Sequence, residues 1–177
     1  MDYRRELVER SIPFLREVRN QTTGSDLEGW LNDSYGPDSE LYRDLARLVR
    51  LGVEEGWAAN VEVDGPDYRR SLIAPPSQET SYFSVTAVYM NSASPYRGQY
   101  HAHPYGEINV VVPVDRNAQL MGPGGWQGAG WTAPGPGSHH YPEVRGGALI
   151  ALFYLPAGRI SYDITHPPRH QGPARSA

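Results

Sequence analysis

From Asn60 onward the chain is a series of short β-prone runs, each closed by Gly, Pro, Asn or Asp. The candidate strands are Val61–Val63, Ser71–Ile73, Tyr82–Met90, Gln99–His103, Ile108–Val114, Gln119–Met121, Gly130–Ala133 and Ala148–Leu155. Runs this short bury little alone. They fold by pairing side by side, which predicts an antiparallel sandwich or barrel. The 19 Gly and 16 Pro among 177 residues supply the turns that such a body needs.

Residues 1–56 follow another period. Leu7, Val8, Ile12, Leu15 and Val18 recur at helical spacing. Pro13 interrupts them and predicts a kink, or a helix restarting with Ser11 as its cap. Pro37-Asp38-Ser39-Glu40 then carries start signals, and Leu41, Leu45, Leu48 and Val49 make one apolar stripe that Gly52 or Gly56 should end. The expected organisation is a helical arm over 1–59 packed on the barrel as a lid or dimerising appendage, a β body over 60–165, and a mobile Pro-rich tail over 166–177. There is no internal repeat.

Composition narrows the partners. A hydrophobic fraction of 39% and a charged fraction of 20% fit one soluble domain. A net charge of -4 argues against nucleic acid as a partner. No apolar run approaches the roughly 20 residues that span a bilayer. The opening MDYRRELVER lacks the apolar centre of a signal peptide, so a cytoplasmic location is expected. With no cysteine, any metal must be held by His, carboxylate or water.

The chemistry gathers in HAHPYGE, residues 101–107. On a strand, His101 and His103 point to one face. Pro104-Tyr105-Gly106 reads as a corner that lets Glu107 swing back toward them. Some thirty residues later GPGSHHYPEV delivers His139 and His140 to the start of another strand. Buried polar groups of this kind cost stability unless something pairs with them. Three imidazoles and a carboxylate converging inside a β body form a four-ligand site for a divalent first-row metal, with positions left open for water or substrate.

The spacing His-x-His-x3-Glu followed by Gly-x2-His resembles the paired metal motifs of the cupin superfamily. Here the motifs are His101, His103 and Glu107, then Gly137-Ser138-His139-His140. The resemblance extends over roughly residues 70 to 160. It implies a mainly β fold, a cupin-type antiparallel β-barrel (double-stranded β-helix or jelly roll) with an N-terminal helical arm. It also implies one Fe(II), Zn(II) or Mn(II) ion per chain, held by His101, His103, Glu107 and His140. Pro95 and Val114 stand where the family usually has glycine, and the second motif is compressed at Pro136-Gly137. These departures alter turns, not ligands.

The longer strings YHAHPYGEINVVVPVD and GPGSHHYPEVRGGALIALFYLPAGRISYDI, with the helical arm, are similar to the 4-hydroxylaminobenzoate lyase-like family of bacterial nitroaromatic catabolism. That resemblance implies conversion of 4-hydroxylaminobenzoate and water to 3,4-dihydroxybenzoate (protocatechuate) and ammonia. Glu107 would be a ligand or a catalytic proton shuttle, tuned toward neutral pKa by an apolar wall. For a small aromatic carboxylate as substrate, Arg69, Arg70, Arg97 and Arg145 are candidate two-pronged partners. Arg97 is favoured because it lies just upstream of the metal strand. Tyr105 lines the pocket or covers the barrel mouth. Trp126 and Trp131 flank a Gly-rich hairpin, and Trp131 stacks on the substrate ring or packs against the arm. The same ligand set would support an Fe(II) dioxygenase acting on an aromatic or small organic acid, or a non-catalytic metal or small-ligand binding cupin. Closure of the barrel mouth by a partner's arm would make a homodimer.

Adjacent strand residues face opposite ways, so only one of His139 and His140 can reach the metal, and the Gly-x2-His spacing selects His140. His140→Ala is therefore expected to lose metal and activity together, and His139→Ala to keep its metal. Metal analysis of the two purified variants decides; the reverse result would shift the register by one residue.

Overall fold

The computed structural model describes residues 1–92 and 96–164. Three helices come first: α1 (Tyr3–Val18), α2 (Ser25–Ser34) and α3 (Glu40–Glu55). Asp2 caps α1 by accepting from the Arg5 amide, and Ser39 caps α3 by accepting from Tyr42. Gly56 ends α3 in the left-handed conformation at φ 81°, where glycine carries no steric penalty.

Two expectations for the arm change. α1 runs through Pro13 as one helix, and Ser11 is not a cap. Proline removes the bond to the Glu9 carbonyl, but Glu9 is exposed and water can serve it. The Ser11 hydroxyl donates to the Leu7 carbonyl at 2.8 Å and lies 2.7 Å from the Tyr154 hydroxyl, deep in the core. The arm is also not a lid: none of the residues lining the histidine pocket comes from a helix.

Among the described residues the β body has twelve strands: β1 (Val61–Glu62), β2 (Tyr68–Ala74), β3 (Phe83–Ser92), β4 (Tyr96–Arg97), β5 (His101–His103), β6 (Ile108–Pro113), β7 (Gln119–Gly122), β8 (Gly125–Gln127), β9 (Gly130–Thr132), β10 (Ser138–His140), β11 (Glu143–Arg145) and β12 (Gly147–Pro156). Six form a large sheet in the order β1-β2-β3-β12-β6-β9; β4-β11-β7-β8 and β10-β5 form two smaller ones. Every pairing between these strands is antiparallel. The mainly β, antiparallel body is as expected, although among the described residues its ladders make three sheets, not one closed ring. The tail expected over 166–177, with His166 and His170, lies outside the described residues.

Strand alternation gives the large sheet two different faces. One face carries Val85, Ala87, Val110, Val112, Ile150, Leu152 and Tyr154, and packs on Leu7, Leu15, Leu45 and Leu48 of the helices. The other carries Tyr68, Val88, Met90, Ala151 and Phe153, and meets Leu120 and Val144 of the four-stranded sheet. The helices thus cover the outside, and the site lies between the sheets.

Trp131 belongs to the helix side. It is fully buried, its ring centroid is 5.1 Å from that of Phe14, and its Nε1 donates to the Tyr35 carbonyl at 2.6 Å. The sequence reading that placed it on a substrate ring gives way to packing against the arm. α2, which had no counterpart in the sequence reading, secures the same strand. The Asn32 amide donates to the Trp131 carbonyl and accepts from the Trp131 amide, at 3.0 and 2.9 Å, as a neighbouring strand would. Trp131→Ala should lower the free energy of unfolding by about 3–5 kcal/mol. A denaturant titration showing unchanged stability together with a raised KM would return the ring to the substrate.

Candidate metal centre

β5 and β10 pair with His140 opposite His101, His139 opposite Ala102, and Ser138 opposite His103. Residues directly opposite in an antiparallel pair share a face, so His101, His103 and His140 project together. Their rings sit 4.8 to 4.9 Å apart, centroid to centroid. His139 points the other way, is exposed, and meets the Tyr100 hydroxyl through Nδ1.

The corner at Gly106 brings the carboxylate in. Gly106 has φ 83°, and a Cβ there would run into Thr23 Oγ1, so glycine is required twice over. Beyond it, the Glu107 amide donates to the Pro134 carbonyl at 3.1 Å. The Glu107 side chain is buried, with Oε2 3.3 Å from His103 Nε2 and Oε1 accepting from Asn109 Nδ2 at 2.6 Å. Asn109 Nδ2 also donates to Thr132 Oγ1 at 3.0 Å.

Hydrogen bonding sets the imidazole tautomers. His101 Nδ1 lies 2.9 Å from the Gln99 carbonyl, which can only accept, so Nδ1 carries the proton. Ser138 Oγ gives its own proton to the Gly135 carbonyl and therefore accepts from His103 Nδ1 at 3.1 Å. Both Nε2 atoms are then bare lone pairs, 3.0 Å apart, and His140 Nε2 is 3.2 Å from that of His101. Lone pairs at this separation, beside a carboxylate oxygen, repel one another unless a cation lies among them. The three histidines offer ligand atoms all within 4.8 Å of one another and could hold a metal ion.

Burial also keeps the cluster in ligating form. Desolvation, opposed by Glu107, holds His101 below its usual pKa. Desolvation, reinforced by His101 and His103, pushes His140 down to about 4. For Glu107, burial alone would raise the pKa, but His103, His101 and Asn109 outweigh it and hold the carboxyl at about 2. Positive charge among the imidazoles, carried by a proton or by a metal ion, is what keeps the buried Glu107 ionised.

The cluster opens on a pocket of about 530 Å³, counting its mouth. Val88, Met90, Leu120, Phe153 and Ile160 supply apolar walls, and His101, His140, Glu107, Asn109, Thr132, Tyr68, Arg70 and Tyr162 the polar groups. Arg97 and Tyr105 do not line it. Arg97 pairs across strands with Glu143, Nε to Oε1 2.9 Å, and its guanidinium lies over the Tyr141 ring. Tyr105 is 55% exposed on the outer side of the corner. Arg69 covers Tyr89, and Arg145 covers Trp126 while bonding Gln119. Of the four candidate arginines, Arg70 alone reaches the pocket. Asn109 and Tyr162 were missed by sequence reasoning; the two-residue step from Glu107 to Asn109 on one strand was the available signal for the former.

The family model described as PnbB, 4-hydroxylaminobenzoate lyase, matches residues 9–162. The 4-hydroxylaminobenzoate lyase of Nocardioides sp. (strain LMS-CY) is 68% identical over 162 residues, covering 92% of this chain and 96% of its own. That of Pseudomonas putida is 58% identical over 171 residues, covering 92% and 97%. Among solved structures, the DMSP lyases RdDddP and RnDddQII align over 90% of this chain and 93% of theirs, at 15% identity and a TM-score of 0.43. A family model spanning both histidine motifs, and relatives this similar over nearly their full length, lead to one statement: the chain belongs to the 4-hydroxylaminobenzoate lyase family.

Proposed function

We propose that the protein is a metal-dependent lyase that converts 4-hydroxylaminobenzoate and water to 3,4-dihydroxybenzoate and ammonia. The observation that carries this reading is the meeting of three imidazole Nε2 atoms and an ionised carboxylate at an apolar pocket, in a chain 68% identical to a protein of that name. His101, His103 and His140 are the proposed ligands, with Glu107 beside them. The donors are nitrogen and oxygen only, which suits Fe(II), Zn(II) or Mn(II). The reaction involves no net electron transfer, so Zn(II) would serve as well as Fe(II).

When bound, the ion supplies Lewis acidity, easing loss of the hydroxylamine oxygen or lowering the pKa of a water. The chain's own residues do the rest. Gln99 and Ser138 hold the Nδ1 protons of His101 and His103, so these rings keep one orientation through turnover. Asn109 occupies Oε1 of Glu107 and leaves Oε2 directed at the cluster, where it can take a proton from the entering water. The hydroxylamine oxygen leaves as water when the N–O bond breaks, and one water enters at the neighbouring ring carbon. A second displaces the nitrogen, which takes up the proton held by Glu107 and leaves as ammonia, so that one water is consumed overall. The walls around Val88, Leu120 and Phe153 hold the ring and keep bulk water from competing.

Metal-loaded protein given 4-hydroxylaminobenzoate under argon should release ammonia and 3,4-dihydroxybenzoate in equal amounts. Turnover that requires oxygen would identify a dioxygenase instead. Glu107→Gln should keep most of its metal and lose at least about 100-fold in rate; a parallel loss of metal would make Glu107 chiefly a ligand.

Acid provides a further test. Ligation needs neutral imidazole, and a depressed pKa keeps that form present until the pH falls through the folded-state value. With His140 at about 4, metal should survive desalting at about pH 6 and be released as the pH approaches 4. Release already near the ordinary histidine value would contradict the burial of the triad.

A further inference from the structure

A half-buried guanidinium lines the pocket, and among the described residues no carboxylate lies in salt-bridge contact with it. The sequence contains no lysine, so every fixed side-chain cation is an arginine. Arg5, Arg10, Arg47 and Arg97 each lie against a carboxylate. Arg70 has no such partner among the described residues, yet it is the one arginine lining the pocket. Its place follows from strand parity. On β2, Tyr68 and Arg70 turn inward, and Arg69 between them turns out to the Tyr89 ring, 4.4 Å away.

Tyr162 steadies Arg70. Nη1 of Arg70 donates to the Tyr162 hydroxyl, and the guanidinium carbon lies 5.2 Å from the ring centroid. Tyr162 is held in turn by its neighbour Ser161, which exchanges two backbone hydrogen bonds with Ala102 of β5, at 2.8 and 3.0 Å. The Tyr162 ring is consequently 5.8 Å from that of His101. The Tyr162 ring thus neighbours both the guanidinium and His101. Ile160 and Tyr162, two residues apart, both line the pocket from this segment.

A guanidinium among apolar walls is costly unless its charge is met. One phenol oxygen occupies one of five N–H donors and leaves the planar fork that matches a carboxylate. We propose that Arg70, oriented by Tyr162, binds the substrate's carboxylate, so that the opposite, para end of the ring lies at the histidine cluster. The identity of the substrate rests on the lyase reading; the selection of an aromatic carboxylate rests on Arg70 and the walls alone. Arg70 is then the residue that sets specificity, and Tyr162 a positioning residue.

The test uses unreactive ligands that lack the N–O bond: 4-aminobenzoate and its neutral counterpart 4-aminobenzamide. Equilibrium binding is measured by calorimetry on metal-loaded wild type, Arg70→Gln, Arg70→Lys and Tyr162→Phe. Wild type should prefer the carboxylate by roughly 10- to 100-fold, the range set by a charged hydrogen-bonded pair. Arg70→Gln should remove that preference and leave amide binding within about 3-fold; Arg70→Lys, which keeps the charge but not the fork, should retain part of it. Tyr162→Phe should weaken carboxylate binding by less than Arg70→Gln does. If Arg70→Gln does not fold, wild type and Arg70→Lys still decide. Absence of a preference in wild type, or equal weakening of both ligands in the Arg70 variants, would overturn the proposal. A carboxylate preference without turnover of 4-hydroxylaminobenzoate would sink the lyase reading and leave the anchor standing, whereas turnover without the preference would do the opposite.

Discussion

The arrangement of the site depends on a three-residue strand pairing. β5 and β10 set His140 opposite His101, and the alternation along β5 adds His103. The neighbouring hydrogen bonds then strip two Nε2 atoms of protons: the Gln99 carbonyl takes the Nδ1–H of His101, and Ser138 takes that of His103. What remains is a knot of lone pairs with an ionised Glu107 beside it. Such a knot is unfavourable by itself and favourable around a cation.

The body can carry this cluster because the two faces of the large sheet do different work. Helices α1 and α3 bury the outer face against leucines and valines, and Trp131 and Tyr154 fill the remaining space. The few polar groups there are answered locally, Tyr154 by Ser11 and the Trp131 indole by the Tyr35 carbonyl. The inner face, with Val88, Met90 and Phe153, is left to form a pocket instead of a closed core. Stability therefore comes mainly from the side away from the chemistry.

The elements that sequence reading recovered are those whose signals are local. Most strands stood out because turn residues bound them, though the short β4, β8 and β11 did not, and α3 stood out because it has a serine cap, a long apolar stripe and a terminal glycine. His101, His103 and His140 were legible because strand parity is a local property. What was lost is what parity between distant segments decides. Trp131 pairs with Val110, which faces the helices, and Thr132 pairs with Asn109, which faces the pocket. Nothing in the Gly-rich stretch around Trp131 tells these two sides apart. Arg97 is near the metal strand in sequence but is taken up by Glu143 across a strand pair. Arg70 reaches the pocket because β2 lies beside β3 in the large sheet. α2 offers only Leu27 and Leu31 as an apolar signal, and Asn32 ties it to the backbone of β9.

The central claim is that the facing imidazoles are there to hold one metal ion. X-ray absorption at the edge of the metal bound to purified protein tests it most directly, because imidazole rings leave a characteristic outer-shell scattering pattern. The account predicts a first shell of nitrogen and oxygen only, with the outer-shell signature of three imidazoles that loses one ring in His140→Ala. A metal with no imidazole scattering, or a pattern unchanged in that variant, would contradict it.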